Sequence, residues 1–386
     1  METIKKEYTM ENAITEMFDK MEKRIQNLNT LNIIVAGKTG VGKSTLINSI
    51  FSEKLADTGI GKPVTQNIKK LHKEGYPLNI YDTQGLELGE ETQKTVKSQI
   101  LSIIEKGMES EDINQAIHCV WYCINTESSR VEPKEIEWIR ELSKENATKV
   151  PIIIILTRAF AKPTTQKMRK AILDENLDIV NVIPVLAEDY EIDDEHIVKA
   201  YGLDNLVGIM EQSLPEELQE TLTRIQIVSL DSKVKAAKKH VIAAAAAATA
   251  IGATPIPFSD AALLVPTQLT MLASITVTFG FELNKAKLAS ILSGTIGTVG
   301  ATVLGKTVVS SILKFIPGAG TVVGGIISGG TAGAITTALG EAYIGILSKV
   351  FKGEMDEKVL DTQEGREQMK EIFKEQLKIN RSNTNS

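Results

Sequence analysis

Cysteine is scarce in this 386-residue chain: only Cys119 and Cys123 occur, both in one apolar run. At a spacing of four they fall on the same face of a strand. They read as reduced core residues rather than a disulfide or metal pair, and they suggest a cytoplasmic compartment. Positive charge is not in excess either. The net charge is −6, so no global basic field points to nucleic acid as a partner. Three of the four histidines, His72, His118 and His196, show no metal-ligand spacing and read as structural or exposed. Outside the glycine-rich loop described next, no Ser/His/Asp or Cys/His constellation is present to carry nucleophilic catalysis. The stretch Met1 to Met10 is charged and has no signal-peptide apolar run, so secretion is not expected.

What is present is concentrated in residues 33–49. Ile33 to Ala36 reads as a buried strand, and Gly37-Lys38-Thr39-Gly40-Val41-Gly42-Lys43-Ser44 fits the pattern G-x-x-x-x-G-K-[ST]. Thr45 follows, and Leu46, Ile47, Ile50 and Phe51 start a helical period. Strand, glycine-rich loop and helix are the context a phosphate-binding loop requires. The glycines let successive amides curl round one anion, and the helix N-terminus adds partial positive charge. Lys43 is placed to reach the outer phosphates and the Ser44 hydroxyl to sit on Mg²⁺. A nucleoside triphosphate site is therefore predicted. Beyond a mobile loop over Thr58–Thr65, strands near 67–73 and 77–82 end at Asp82-Thr83-Gln84-Gly85. A carboxylate at a strand end, with glycine soon after, reads as a nucleotide switch. Asp82 holds Mg²⁺ through water, and the Gly85 amide senses the γ-phosphate.

Further apolar runs at 117–124, 152–156 and 180–186 alternate with amphipathic stretches near 91–107, 133–143 and 166–175. Nearly continuous apolar strands are covered on both faces, so residues 30–215 are predicted to form a doubly wound α/β domain. Leu203, Leu206 and Val207 begin a helix leading out of it. Ahead of the domain, residues 1–29 carry an amphipathic helix with Ile14, Met17, Phe18, Met21, Ile25 and Leu28 in phase, expected to cover the C-terminal helices.

Charge then almost vanishes. The composition changes near 228; from Val241 to Phe281 the only charge is Asp260, and from Phe315 to Gly340 there is none. Residues 216–350 are predicted to be an all-α domain of two helical hairpins. One turns at Pro255–Asp260 and the other near Pro317–Gly320. Residues 351–386 are charged, with a helix near 362–378 and a disordered tail. About 20 apolar residues suffice to span a bilayer, but alanine, glycine and threonine contribute little transfer energy at about 25 cal/mol per Å². Small residues such as Gly320 and Gly324, or Gly325 and Gly329, permit close helix contact in soluble and membrane bundles alike. Lys306 and Lys314 lie near ends from which they can snorkel. Lys233, Lys235, Lys238, Lys239 and His240, just before the alanine run, read either as a juxtamembrane basic cluster or as a solvated helix start. Two readings stand: reversible membrane association and a wholly soluble bundle, ahead of permanent spanning.

With the loop, Thr65, Asp82–Gly85 and Thr157-Arg158 in place, the first half resembles an Era-like P-loop GTPase. The stretch Gly37–Thr45 is most similar to the immunity-associated, septin and interferon-inducible branches. The second half resembles an uncharacterised helical domain fused to bacterial Era-like GTPases. The resemblance implies GTP or GDP as nucleotide, Mg²⁺ as cofactor, and Ser44, Thr65 and Asp82 about the metal. It implies Thr157, Arg158 and Ala187 at the base. Three departures accompany it. Phe160 stands where the base-reading motif [NT]-K-x-D has its aspartate. A lost charge-assisted pair costs roughly 1.5–3 kcal/mol, one to two decades of guanine preference. Leu86 stands where a glutamine would orient water, so intrinsic hydrolysis should be slow. Gly40 replaces the asparagine of potassium-activated members.

In the immunity-associated branch an arginine after the fourth strand reaches across a dimer. Arg130, in the matching region, is either such a finger in trans or a solvated loop residue. The expected function is a Mg²⁺-dependent, slowly hydrolysing GTP switch, activated by homodimerisation of its G domain and controlling the helical domain. Its place is cytoplasmic, or peripheral on the inner face of a membrane. The alternatives are a nucleotide-regulated membrane effector and a scaffold with little hydrolysis.

Overall fold

The computed structural model describes residues 10–52, 60–84, 86–87, 89–252, 260–284, 288 and 329–384. They divide into two compact units, one drawn from Leu28–Ser229 and the other from the segments on either side of it.

The first unit is a seven-stranded sheet. Its strands are β1 (Leu31–Ala36), β2 (Ile60–Pro63), β3 (Ile68–His72), β4 (Leu78–Thr83), β5 (Cys119–Asn125), β6 (Ile152–Thr157) and β7 (Asn181–Pro184), in spatial order β2-β3-β4-β1-β5-β6-β7. From β4 to β7 every neighbour is parallel, while β2, β3 and β4 pair antiparallel. Period-two alternation sorts the central strands onto two cores. Ile33, Val35, Cys119, Trp121, Cys123, Ile153 and Ile155 face one side; Ile34, Ala36, Val120, Tyr122, Ile124, Ile154 and Leu156 face the other. Helices α3 (Glu90–Glu109), α4 (Pro133–Glu145) and α5 (Lys162–Asp174) cover the second side. The first is covered by α2 (Lys43–Ile50), α6 (Leu203–Ser213) and α7 (Glu216–Ile225). This is the doubly wound α/β architecture expected of the sequence, and both thiols are buried and free on one face.

Three features differ from the sequence reading. Ile60–Pro63, inside the expected mobile loop, pairs as edge strand β2. A separate hairpin, β8 (Tyr190–Asp193) with β9 (His196–Val198), follows β7. Helix α7, included in the second domain by the expected boundary at 216, belongs to the first unit. Leu218, Leu222 and Ile225 lie one helical face apart and are buried on the sheet, and the Thr221 hydroxyl donates to the Asn29 carbonyl at 2.7 Å.

The second unit is helical, with α1 (Met10–Gln26), α8 (Leu230–Gly252), α9 (Asp260–Phe279), α10 (Gly329–Phe351) and α11 (Gln363–Thr384). Phe18 and Met21 of α1 share a core with Val241, Leu272, Ile275, Leu339, Tyr343, Leu347 and Phe373. Helix α10 is the one described element long and apolar enough to cross a membrane, and 56% of that stretch is buried within the structure. It approaches α8 closely because Gly340 has no Cβ: one would stand 2.6 Å from the Val241 Cγ2. Lys233 does not join a lipid-facing basic cluster. It is fully buried; its ammonium donates to the Thr278 carbonyl at 3.2 Å near the end of α9 and lies over the Phe351 ring. The expected turns at 255–260 and 317–320, the glycine pairs at 320–329, and Lys306 and Lys314 lie outside the described residues, except that Asp260 opens α9 and Gly329 opens α10.

One buried group of the first unit sets a pH dependence. The Asn32 amide donates to His118 Nδ1 at 2.9 Å, so that nitrogen carries no proton, and Nε2–H donates to the Ile113 carbonyl at 2.9 Å. Burial lowers the His118 pKa to about 4 from an ordinary 6.5, against the opposing pull of the Ile113 bond. As pH falls the unfolded chain takes up this proton first. The stability the neutral ring confers is complete above about pH 6.5 and is lost as pH falls towards 4. Ring-proton NMR of the folded protein should give a His118 midpoint near 4; a midpoint near 6.5 would contradict the assignment.

Candidate nucleotide site

At the C-terminal end of β1 the chain must turn sharply into α2. Gly37 permits this with φ +146°; a Cβ there would lie 2.6 Å from the Cys123 carbonyl oxygen. The Lys43 ammonium folds back over the loop and donates to the carbonyls of Gly37 at 2.8 Å and Lys38 at 3.1 Å. Lys38 points elsewhere, to Glu132 at 2.9 Å and Glu135 at 3.9 Å. Burial pushes the Glu135 carboxyl above its ordinary range, opposed by Lys38 and by a bond from the Tyr122 hydroxyl. Ser44 is exposed at the start of α2, and Thr45 is half-buried beside it.

Asp82 reaches this loop from the end of β4. Its Oδ1 is buried with no hydrogen-bond partner, and burial raises its pKa, opposed by the charges of Lys43 and Lys69. A buried carboxylate oxygen without a partner is costly, and a cation relieves the cost. Among the described residues no group of three or more His, Cys, Asp or Glu gathers as a metal cage. Mg²⁺ needs none, since it takes one or two protein oxygens together with phosphates. The oxygens of Asp82 and Ser44 are of the right chemistry. The Thr65 hydroxyl is engaged otherwise: it donates to Gln99 Oε1 at 2.7 Å and accepts from the amides of Asn67 and Ile68 at 3.2 and 3.0 Å. Gly85 lies outside the described residues. Leu86 is only 2% exposed, with its side chain in the sheet core.

A cavity of about 190 Å³ adjoins the loop, lined by Gly42, Thr45, Thr157, Arg158 and Ala187 among others. The Thr157 hydroxyl faces the Val41 carbonyl at 2.5 Å and the Ile124 carbonyl at 3.2 Å. Arg158, at φ +52°, holds Glu127 at 2.7 Å. The structure thus brings these five sequence-predicted residues to one cavity. Arg130 is not among them; it lines a separate groove of about 510 Å³ with Arg140 and Lys167.

Sequence reasoning gave no role to four acids here, although one of them, Glu188, follows Ala187 in the loop expected at the base. Glu127 and Glu188 line the cavity, as does Asp189, which is tied to Lys199 and to the Ala200 amide, both at 2.8 Å. Glu87 closes on the loop itself, accepting from the Thr39 hydroxyl at 2.8 Å and the Thr39 amide at 3.3 Å. Bonds from its own backbone amide and from Thr39 hold the Glu87 carboxyl below the usual range. Its position next to Leu86, where the water-orienting residue is absent, was the available signal.

Residues 32–158 match the family model described as a 50S ribosome-binding GTPase, and residues 217–382 match a domain of unknown function (DUF697). Among curated proteins, Cell division control protein 10 of Candida albicans is 28% identical over 145 residues, covering 32% of this chain and 40% of the relative. The tRNA modification GTPase MnmE of Malacoplasma penetrans is 30% identical over 151 residues, 36% of this chain and 31% of the relative. Translocase of chloroplast 34 of Arabidopsis thaliana is 30% identical over 109 residues, 28% of this chain and 32% of the relative. The chain therefore spans between 31% and 40% of the length of these relatives. Among solved structures, Toc33 of Arabidopsis thaliana in complex with Mg²⁺ and GMPPNP is similar at 18% identity, covering 53% of this chain and 92% of that one, with a TM-score of 0.33.

A phosphate entering the loop competes with the Glu87 carboxylate for the Thr39 amide and hydroxyl. Glu87→Ala should therefore tighten GTP binding about 3–10-fold, the net worth of one hydrogen bond. Calorimetric titration checks this, and weaker binding by the variant would contradict the competition.

Proposed function

We infer that this chain, which carries a P-loop GTPase domain over residues 32–158, is a slowly hydrolysing GTP switch whose nucleotide state governs its helical domain. The observation that carries the reading is the pairing of Lys43, bonded to its own loop's carbonyls, with the buried, partnerless Oδ1 of Asp82. A triphosphate offers the ammonium better acceptors than two carbonyls. Mg²⁺, when bound, neutralises charge between the outer phosphates, and Ser44 Oγ and Asp82 Oδ1 are the oxygens to hold it. To donate to the γ-phosphate the Thr65 hydroxyl must leave Gln99, and to ligate the metal its oxygen must give up the Asn67 or Ile68 amide, so triphosphate binding competes with the contacts Thr65 makes in the β2–β3 turn and to α3.

Slow turnover follows from Leu86, whose side chain is packed in the core and orients no water. Phosphoryl transfer is largely positioning and charge stabilisation, and an arginine supplied by a partner is worth roughly 10³–10⁵ in rate. Arg130, exposed beyond β5, is our candidate for that arginine, acting across a nucleotide-dependent homodimer as the likeness to immunity-associated GTPases implies. It acts on the transition state and leaves nucleotide affinity unchanged.

A second property concerns α8. Its buried positions Val241, Ala244, Ala248 and Gly252 recur at helical spacing, while Ile242, 70% exposed, and the alanines between them face outward beyond Lys238 and Lys239. This favours reversible association of the helical domain with an anionic membrane surface. GTP-dependent flotation with anionic vesicles is expected, and its absence with GTP, GDP and buffer alike would remove the membrane from the reading.

The central test is phosphate release from GTP by the full chain over a range of protein concentrations. Turnover per molecule should rise with concentration, because the active species is a dimer. Arg130→Ala should abolish the rise at unchanged GTP affinity, and Lys43→Ala should weaken GTP binding by about 10–100-fold. Concentration-independent turnover insensitive to Arg130 overturns the trans mechanism. Unchanged affinity in Lys43→Ala overturns the GTPase reading itself.

A further inference from the structure

The aspartate expected to read guanine is absent, and Phe160 occupies its position. Phe160 does not line the cavity beside the loop. Its ring instead lies flat on that of Tyr190, with centroids 4.2 Å apart and planes 7° from parallel. Tyr190 begins β8 and does line the cavity. The connection from β7 to β8 is therefore pinned at several points. Leu186 exchanges backbone hydrogen bonds with Tyr201 at 3.0 and 2.9 Å, Asp189 is held by Lys199 and the Ala200 amide, and Tyr190 pairs with Val198 in the hairpin. The Tyr201 hydroxyl also donates to the Ala159 carbonyl, one residue before Phe160. Between these ties, Ala187 and Glu188 face the cavity.

Three carboxylates line that cavity. Glu127 is taken by Arg158 at 2.7 Å and by the Asn125 amide nitrogen at 2.9 Å, and Asp189 by Lys199 and Ala200. Glu188 has no hydrogen bond or ion pair among the described residues. A nucleotide whose phosphates occupy the loop at Gly42 and Thr45 has its base in this adjoining cavity, since both residues line it. Guanine presents two adjacent donors, N1–H and the 2-amino group, and one carboxylate accepts from both. Adenine has no hydrogen on N1 and no 2-amino group.

We propose that Glu188 is the specificity-determining residue of this site: its carboxylate accepts the N1–H and 2-amino hydrogens of guanine, in place of the aspartate missing at Phe160. The carboxylate has moved to the next loop, and the Phe160–Tyr190 stack holds that loop over the cavity. This rests on the GTPase reading above and adds the residue that selects the base.

The test uses the full chain and competition among GTP, ATP and XTP for a fluorescent GTP analogue. Xanthine carries an oxygen where guanine has the 2-amino group, so the Glu188→Gln amide donates to that oxygen and accepts from N1–H. Glu188→Gln should lower the GTP-over-ATP preference by about 10–100-fold and bind XTP more tightly than wild type does. The gain in XTP affinity also shows that the variant is folded, which a merely structural role for Glu188 does not produce. Glu127→Gln should reduce GTP and ATP affinity together, with no gain of XTP. A wild-type protein that prefers GTP, with Glu188→Gln unchanged or with the XTP gain appearing in Glu127→Gln, overturns the assignment alone. A wild-type protein binding ATP as tightly as GTP overturns the GTPase reading on which it rests.

Discussion

One hydroxyl proton, on Thr157, sets the distance between the two halves of the nucleotide site. It is shared between the carbonyls of Val41 in the phosphate loop and Ile124 at the end of β5, and Thr157 and Ile124 are held in paired strands of the sheet. The group is buried, so neither carbonyl has water as a substitute partner. Loop and cavity consequently keep one spacing. On one side of this tie Gly37 lets the loop pass under the Cys123 carbonyl; on the other, Arg158 adopts positive φ immediately after the threonine and turns its guanidinium to Glu127. The acids that gather about the cavity are arranged on a frame this bond keeps fixed.

Much of the fold was legible in the residues. The strands near 117–124 and 152–156 print as nearly continuous apolar runs because helices cover both of their faces. The phosphate loop was legible because its backbone path admits only certain residues at fixed spacing. The edge strand β2 was not: Gly61 and Pro63 are turn-formers, and pairing with β3 on one side alone overrides their preference. Nor was the β8–β9 hairpin, whose Ile192 and Ile197 are exposed, so that no buried face imposes alternation on the sequence. Glu87, Glu127 and Glu188 were illegible for a different reason. Glu87 and Glu127 act through partners distant in sequence, Thr39 and Arg158, and Glu188 is placed only by the cavity it lines; an isolated glutamate in a loop looks like any solvated one.

The helical unit shows the same division. Alanine at 244 and 248 is buried in α8, and α10 approaches that helix at Gly333 and Gly340, two glycines the sequence pattern did not single out. Lys233 misled for a plain reason: a lysine in a basic run looks solvated, yet this one ends at the carbonyls closing α9, where a helix dipole welcomes a cation. Composition marked the change of character near 228, where the first unit ends, and the boundary expected at 216 fell one helix too early, since α7 packs on the sheet. A run of ordinary helix formers carries no label for the core it will cover.

The two cysteines give the molecule a clock of its own. Cys119 and Cys123 lie on β5, inside the sheet between β1 and β6 and wholly enclosed, and burial lifts both thiols to about 12. A thiol so placed is neither reachable nor ionised, so an alkylating reagent waits until β5 comes out of the sheet. The rate at which label is taken up therefore counts openings of the nucleotide unit and is blind to events confined to surface loops. Because a ligand that binds only the closed form makes such openings rarer in proportion to its occupancy, the same two sulfurs record nucleotide binding from within the core that Val41 of the phosphate loop also joins.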